Sequence, residues 1–184
     1  MGNEGVIMAD LNLLLSIGKV SQFAKDQMVF MVNDSGESMY IVLKGKFGVY
    51  INSFVDFPIR VAGIGQGSFF GEMSVIDGWP RSATIIAEEE SAVLVVEKNK
   101  FSLLLEKAPD IAASIMDTLR ARVSSTAEAV REAGKEAPEL PPLLKIAQYR
   151  DAKSSMTFMV MLAQRLREMN ALLATRGGEA EPPP

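Results

Sequence analysis

Gly71, Glu72 and Arg81 fall within one short segment, Phe70-Gly71-Glu72-Met73-Ser74-Val75-Ile76-Asp77-Gly78-Trp79-Pro80-Arg81-Ser82-Ala83-Thr84, which joins two strand-like runs. A glycine has no Cβ, so at Gly71 a ligand or another stretch of backbone can come unusually close. With Met73 and Ser74 opening a helical turn, their amides are among the unpaired donors at its start, and the helix dipole favours an anion there. A carboxylate beside that spot repels phosphate. Glu72 therefore suits a neutral hydroxyl pair such as a ribose 2′-OH, from which it accepts hydrogen bonds. Arg81 supplies the missing positive charge, and its planar fork matches two phosphate oxygens with more direction than a lysine. Ser82 adds a hydroxyl that can give or accept one more bond. This set of groups is what holding a sugar phosphate requires. The competing reading is that Glu72 and Arg81 simply pair with each other on a sheet surface.

The segment resembles the phosphate-binding cassette of the cyclic nucleotide-binding domain family, the module of cAMP-dependent kinase regulatory subunits, catabolite-activator-type regulators and nucleotide-gated channels. Phe70-Gly71-Glu72 matches the family's F-G-E, and Pro80-Arg81-Ser82-Ala83-Thr84 matches its P-R-A/S/T-A-T at the usual spacing. The resemblance implies that Glu72 binds the ribose 2′-OH and Arg81 the cyclic phosphate. It also implies that Met73 and Ser74 give backbone amides, with Phe70, Ser82 and Ala83 completing the cassette. Upstream, Asp34-Ser35-Gly36-Glu37-Ser38-Met39-Tyr40-Ile41-Val42-Leu43-Lys44-Gly45 resembles the family's turn and following strand. Asp26 and Asn33 stand where the family often has glycines. Both residue types tolerate left-handed turns, so the departure is expected to affect stability more than binding. The resemblance covers roughly residues 10 to 130 and explains nothing after about 134.

Absent residue types narrow the chemistry further. The chain has no Cys and no His, which removes disulfides, thiol nucleophiles, thiolate zinc sites and the commonest general base and metal ligand. Its carboxylates form no recognisable acid/base pair. The expectation is a non-enzyme with no catalytic residues, no metal and no cofactor, whose ligand is cAMP or cGMP. A net charge of −4 argues against a protein that coats nucleic acid. Apolar runs are well short of a bilayer span, the N-terminus lacks a signal pattern, and Val6 occupies the place where a myristoylation motif needs Ser or Thr. The sequence thus reads as a soluble cytoplasmic protein with neither membrane nor nucleic-acid partner.

These residues need a scaffold, and its pattern is visible. Residues 7 to 17 predict a short amphipathic helix. Between Gln27 and Val96, short β-branched runs broken by Gly, Pro, Asn and Asp predict strands near residues 28–32, 39–43, 47–51, 59–64, 83–87 and 92–96. That is a mainly β fold with flanking helices, a sandwich or barrel. The resemblance narrows it to a double-stranded β-helix, or jelly roll, followed by a C-terminal helical extension. Helical periodicity returns at 100–107 and again from Pro109 to about Ala133, with Gly134 as the stop. In the family, the helix in this place closes over the base as a lid, which points to Leu119, Arg122, Val123 and Thr126.

A linker at 134–142 and a short helical stretch at 143–151 are followed by a longer helix at about 155–175, with Ser154 or Ser155 as its cap. Met156, Met159, Leu162, Ala163, Leu166, Met169 and Leu173 share one face of it. Either the chain itself covers that face, or a homodimer partner or another protein does. A helix-turn-helix with a wing is absent from this stretch. The expected organisation is a nucleotide-binding domain at 1–133, a linker at 134–142, a helical extension at 143–176 and a disordered tail at 177–184. The expected function is a stand-alone cyclic nucleotide sensor that couples binding to its C-terminal helices. The alternative is a scaffold or oligomerisation protein whose jelly roll no longer binds ligand.

Overall fold

The computed structural model describes residues 11–51, 59–139 and 151–174. Two compact units are present, one ending at Ser114 and one beginning at Ile115.

The first unit is built on eight antiparallel strands in two four-stranded sheets. One sheet has the order β1 (Lys19–Phe23), β8 (Ser91–Glu97), β3 (Ser38–Lys44), β6 (Phe69–Phe70). The other runs β2 (Met28–Phe30), β7 (Thr84–Ala87), β4 (Lys46–Ile51), β5 (Ile59–Gly65). Side chains alternate across a strand, so each strand of a sandwich sends every second residue inward. Val42, Phe47, Ile64, Phe70, Ile85, Ala87 and Val93 meet there as a buried cluster, with Phe23, Phe30 and Tyr40 packed against it. Met39 and Ile41, on the opposite face of β3, pair with Val96 and Leu94 of β8 and are equally buried. Helix α1 (Leu11–Ile17) packs on β8 and on α3 (Lys98–Lys107), bringing Leu14, Ile17, Phe101, Leu104 and Leu105 out of water. This is the mainly β, helix-flanked jelly-roll architecture expected from the sequence.

Two strands were not expected. β1 reads Lys-Val-Ser-Gln-Phe and lies at a sheet edge with little of it buried, so it lacks the apolar alternation that announces a strand. β6 is two residues long. Of the predicted N-terminal helix, residues 7 to 10 lie outside the described residues. The two non-glycine departures adopt the left-handed conformation, Asp26 at φ 64° and Asn33 at φ 71°.

In the second unit, helix α4 (Pro109–Glu132), which starts in the first unit, carries the buried residues Ile115, Leu119, Val123 and Val130 on one stripe. Gly134 ends it at φ 72°, where its N–H bonds the Arg131 carbonyl (2.8 Å) and the Lys135 N–H bonds that of Val130 (3.1 Å). Paired 5→2 and 6→1 bonds of this kind satisfy carbonyls that the helix end leaves open. Helix α5 (Ala152–Ala174) follows. Met159, Leu162, Ala163, Leu166 and Met169 are buried on it, and Ser155 with them, while Met156 and Leu173 towards the two ends of the face are half-buried. The predicted short helix falls at residues 143–150 and beyond to 151, of which only Asp151 is described; residues 140–142 of the linker and the tail at 177–184 also lie outside the described residues.

The expected cap is corrected. Asp151, not Ser154 or Ser155, closes the start of α5, its Oδ1 accepting the Ser154 N–H at 2.9 Å, while Ser155 is itself buried in the helix. Ser155 cannot cap because its hydroxyl sits a full turn too far along. The bonds from Ser154 hold the Asp151 carboxyl below the usual aspartate range. A depressed folded pKa means that the stabilisation is complete above the unfolded value and disappears as pH falls through the folded one. Asp151→Ala should therefore lower the melting temperature at neutral pH, with the gap from wild type closing in acid. A gap independent of pH in circular-dichroism melts would show that the carboxylate is not the cap.

Candidate functional site

The cassette is shaped by two left-handed glycines. Gly71 at φ 76° turns the chain out of β6 into helix α2 (Glu72–Asp77), and Gly78 at φ 76° ends that helix, its N–H bonding the Ser74 carbonyl. A side chain on Gly71 would have its Cβ 2.7 Å from a terminal nitrogen of Arg81 and 3.2 Å from the Ser38 carbonyl oxygen. No side chain caps the start of α2, so its first amides, Met73 and Ser74 among them, have no side-chain oxygen for a partner there. Glu72, Met73 and Ser74 are all buried. The helix packs on β3.

Arg81 is the unusual group. It is only 4% exposed, yet it is a full cation. Its backbone is fixed against the turn before β3: Arg81 N–H donates to the Asp34 carbonyl and Asn33 N–H to the Arg81 carbonyl, each at 2.9 Å. One terminal nitrogen donates to the Gly71 carbonyl at 2.8 Å and the other to Ser38 Oγ at 3.4 Å. Nε has no partner. The Cζ lies 4.1 Å from the centre of the Phe30 ring and 5.7 Å from that of Tyr40. Burial pushes the guanidinium pKa down from its ordinary value, and the neighbouring Tyr40, Glu72, Asp34 and Glu37 partly offset this. A buried cation with a donor to spare is suited to receive an anion.

The structure thus brings Gly71, Glu72, Ser74 and Arg81 together in one buried neighbourhood, not across an open sheet surface. Gly36 belongs to it as well, since a Cβ there would stand 2.2 Å from Ser74 Cβ and 3.1 Å from Arg81 Cζ. Phe70 points its ring into the core, stacked on Tyr40 with centroids 4.9 Å apart. Ser82 is exposed and Ala83 half-buried. Trp79, two residues before Arg81, is 62% exposed, and its backbone N–H donates to Asp77 Oδ1. Leu119 and Val123 are buried on α4, with Arg122 and Thr126 half-buried. Sequence reasoning missed Phe30, Ser38 and Tyr40 as neighbours of Arg81. Ser38 and Tyr40 carried a signal only as part of the upstream resemblance, and Phe30 carried none.

Residues 20–108 match the model of the cyclic nucleotide-binding domain. The chain carries a cyclic nucleotide-binding domain. Over 120 residues it is 26% identical to the cyclic AMP receptor protein of Thermus thermophilus, a match covering 65% of this chain and 56% of that protein. Over 83 residues it is 36% identical to a cyclic nucleotide-gated potassium channel of Rhizobium etli, covering 45% of this chain and 22% of the channel. A crystal structure of a cyclic nucleotide-binding domain from Methylobacillus flagellatus superposes with a TM-score of 0.58 at 23% identity, over 76% of this chain and 84% of that one, and shares the fold. The chain spans about half the length of the first relative and about a fifth of the second. All four cassette positions brought together here, Gly71, Glu72, Ser74 and Arg81, lie inside the span matched to the domain. Among the described residues, no group of His, Cys, Asp or Glu could hold a metal ion, and no helix is long and apolar enough to cross a membrane.

Proposed function

We propose that this chain is a sensor of a cyclic purine mononucleotide, cAMP or cGMP, acting on its own and passing occupancy to its C-terminal helices. The observation that carries the reading is the buried Arg81 guanidinium, with its unpartnered Nε, next to Glu72 and the uncapped start of α2. In this reading Arg81 neutralises the cyclic phosphate, Met73 and Ser74 give it amides, Glu72 accepts from the ribose 2′-OH, and Ser82 and Ala83 border the pocket. By the family's pattern, Leu119, Arg122, Val123 and Thr126 of α4 are the candidates for covering the base. Ligand shifts the helices only by its differential affinity for their two arrangements, typically about 1–3 kcal/mol. The family's commoner ligand is cAMP, and the hydroxyl of Ser82 keeps cGMP in contention.

Thermal shift and titration calorimetry with both nucleotides test this. Ligand at roughly 100 times its dissociation constant should stabilise the fold by about 2.7 kcal/mol. A silent response to both would favour a scaffold that uses the jelly roll without ligand. Glu72→Ala should weaken binding of the ribonucleotide about tenfold or more and matter far less for the 2′-deoxy analogue. Equal losses for the two ligands would remove the role assigned to Glu72.

A further inference from the structure

We infer that Phe30 is a positioning residue for binding, its ring being the platform that orients the Arg81 guanidinium toward the phosphate. This rests on the reading of Arg81 as the phosphate's partner.

Hydrogen bonds alone do not hold the guanidinium in place. Of its five N–H donors, one makes a short bond, to the Gly71 carbonyl at 2.8 Å, and a second reaches Ser38 Oγ only at 3.4 Å. Nε makes none. What remains is the aromatic face beneath, with Cζ 4.1 Å from the Phe30 centroid. A π face carries negative potential, and it stabilises a desolvated cation more than a hydrated one. At 4% exposure Arg81 has lost most of its water, so the ring replaces part of what hydration supplied.

Phe30 is itself fixed. The Tyr40 and Phe70 rings lie with centroids 5.7 and 6.0 Å from its own, and Phe70 belongs to the buried cluster. On the backbone side, Phe30 pairs with Ile85 of β7, four residues after Arg81, and the Asn33 and Asp34 backbone bonds grip Arg81 directly. Platform and cation are therefore held as one piece. An aliphatic side chain at 30 would fill much of the volume and leave the guanidinium without its electrostatic rest. The family pattern read from the sequence assigns nothing to this position.

The test is a double-mutant cycle read by calorimetry with cAMP and cGMP on the full chain, using Phe30→Leu, Arg81→Gln and the double variant. Phe30→Leu should weaken binding about five- to thirtyfold, and should cost little more once Arg81→Gln is present. Independent, additive losses would overturn the proposal, because packing alone predicts them. A second variant keeps the shape and changes only the electronics: trifluorinated phenylalanine at position 30 should also weaken binding, and unchanged affinity would overturn the proposal too. Should wild type bind neither nucleotide, the reading of the site fails, and melting temperatures of the same four proteins judge the contact alone. Additive melting losses then overturn the pairing, and a shared loss supports it.

Discussion

Arg81→Leu should leave a folded protein that binds cyclic nucleotide at least ten- to a hundredfold more weakly than wild type. Hydrogen bonds to a charged partner contribute roughly 1.5–3 kcal/mol, and this variant removes both those bonds and the only buried cation near α2 among the described residues. The fold tolerates the loss for a specific reason. Arg81 is buried at a desolvation cost that lowers its pKa, with one nitrogen unpartnered, so a leucine removes a costly charge as well as the bond to the Gly71 carbonyl. Replacing a whole buried ion pair by apolar volume is often close to neutral for stability, whereas removing one member leaves the other uncompensated, so the melt also reads what buried Glu72 loses. Calorimetry paired with a melt separates the two effects. Unchanged affinity would reject Arg81 as the phosphate partner, and a collapsed melt would make it a structural residue first.

Gly36→Ala should damage fold and site together. Its Cβ would stand 2.2 Å from Ser74 Cβ and 3.1 Å from Arg81 Cζ, and the first of these atoms is anchored to the backbone of α2, so α2 or the turn must move. Forced packing of this kind costs about 1–3 kcal/mol, and in a chain of this size each kcal/mol lowers the melting temperature by about 2–4 °C. Affinity should fall as well, because Ser74 and Arg81 are the groups displaced. A variant that melts and binds like wild type would show that the turn and the cassette are not packed as described.

Much of this is legible in the sequence. The cassette residues could be assigned chemical roles from their types and spacing, because Gly-Glu and Pro-Arg are local patterns separated by a short helix. Six of the eight strands announced themselves by β-branched runs. The two that did not, Lys19–Phe23 and Phe69–Phe70, are an exposed edge and a two-residue bridge, and neither offers a period to read. Phe30 carried no sign of being a partner of Arg81, and Tyr40 only its place in the upstream resemblance, since they lie 51 and 41 positions earlier in the chain and only the sandwich brings them together. The start of α5 shows a different gap. Asp151 and Ser154 both suit a cap by type, and which one acts depends on where the helix begins, which propensity locates only to within a few residues.

The exposed indole at position 79 gives the chain a property of practical use. Trp79 is the only tryptophan in the sequence, so selectively excited emission comes from a single spot, two residues from the guanidinium on which the site depends. The protein carries its own optical probe, and titrations can be followed in a cuvette without a label.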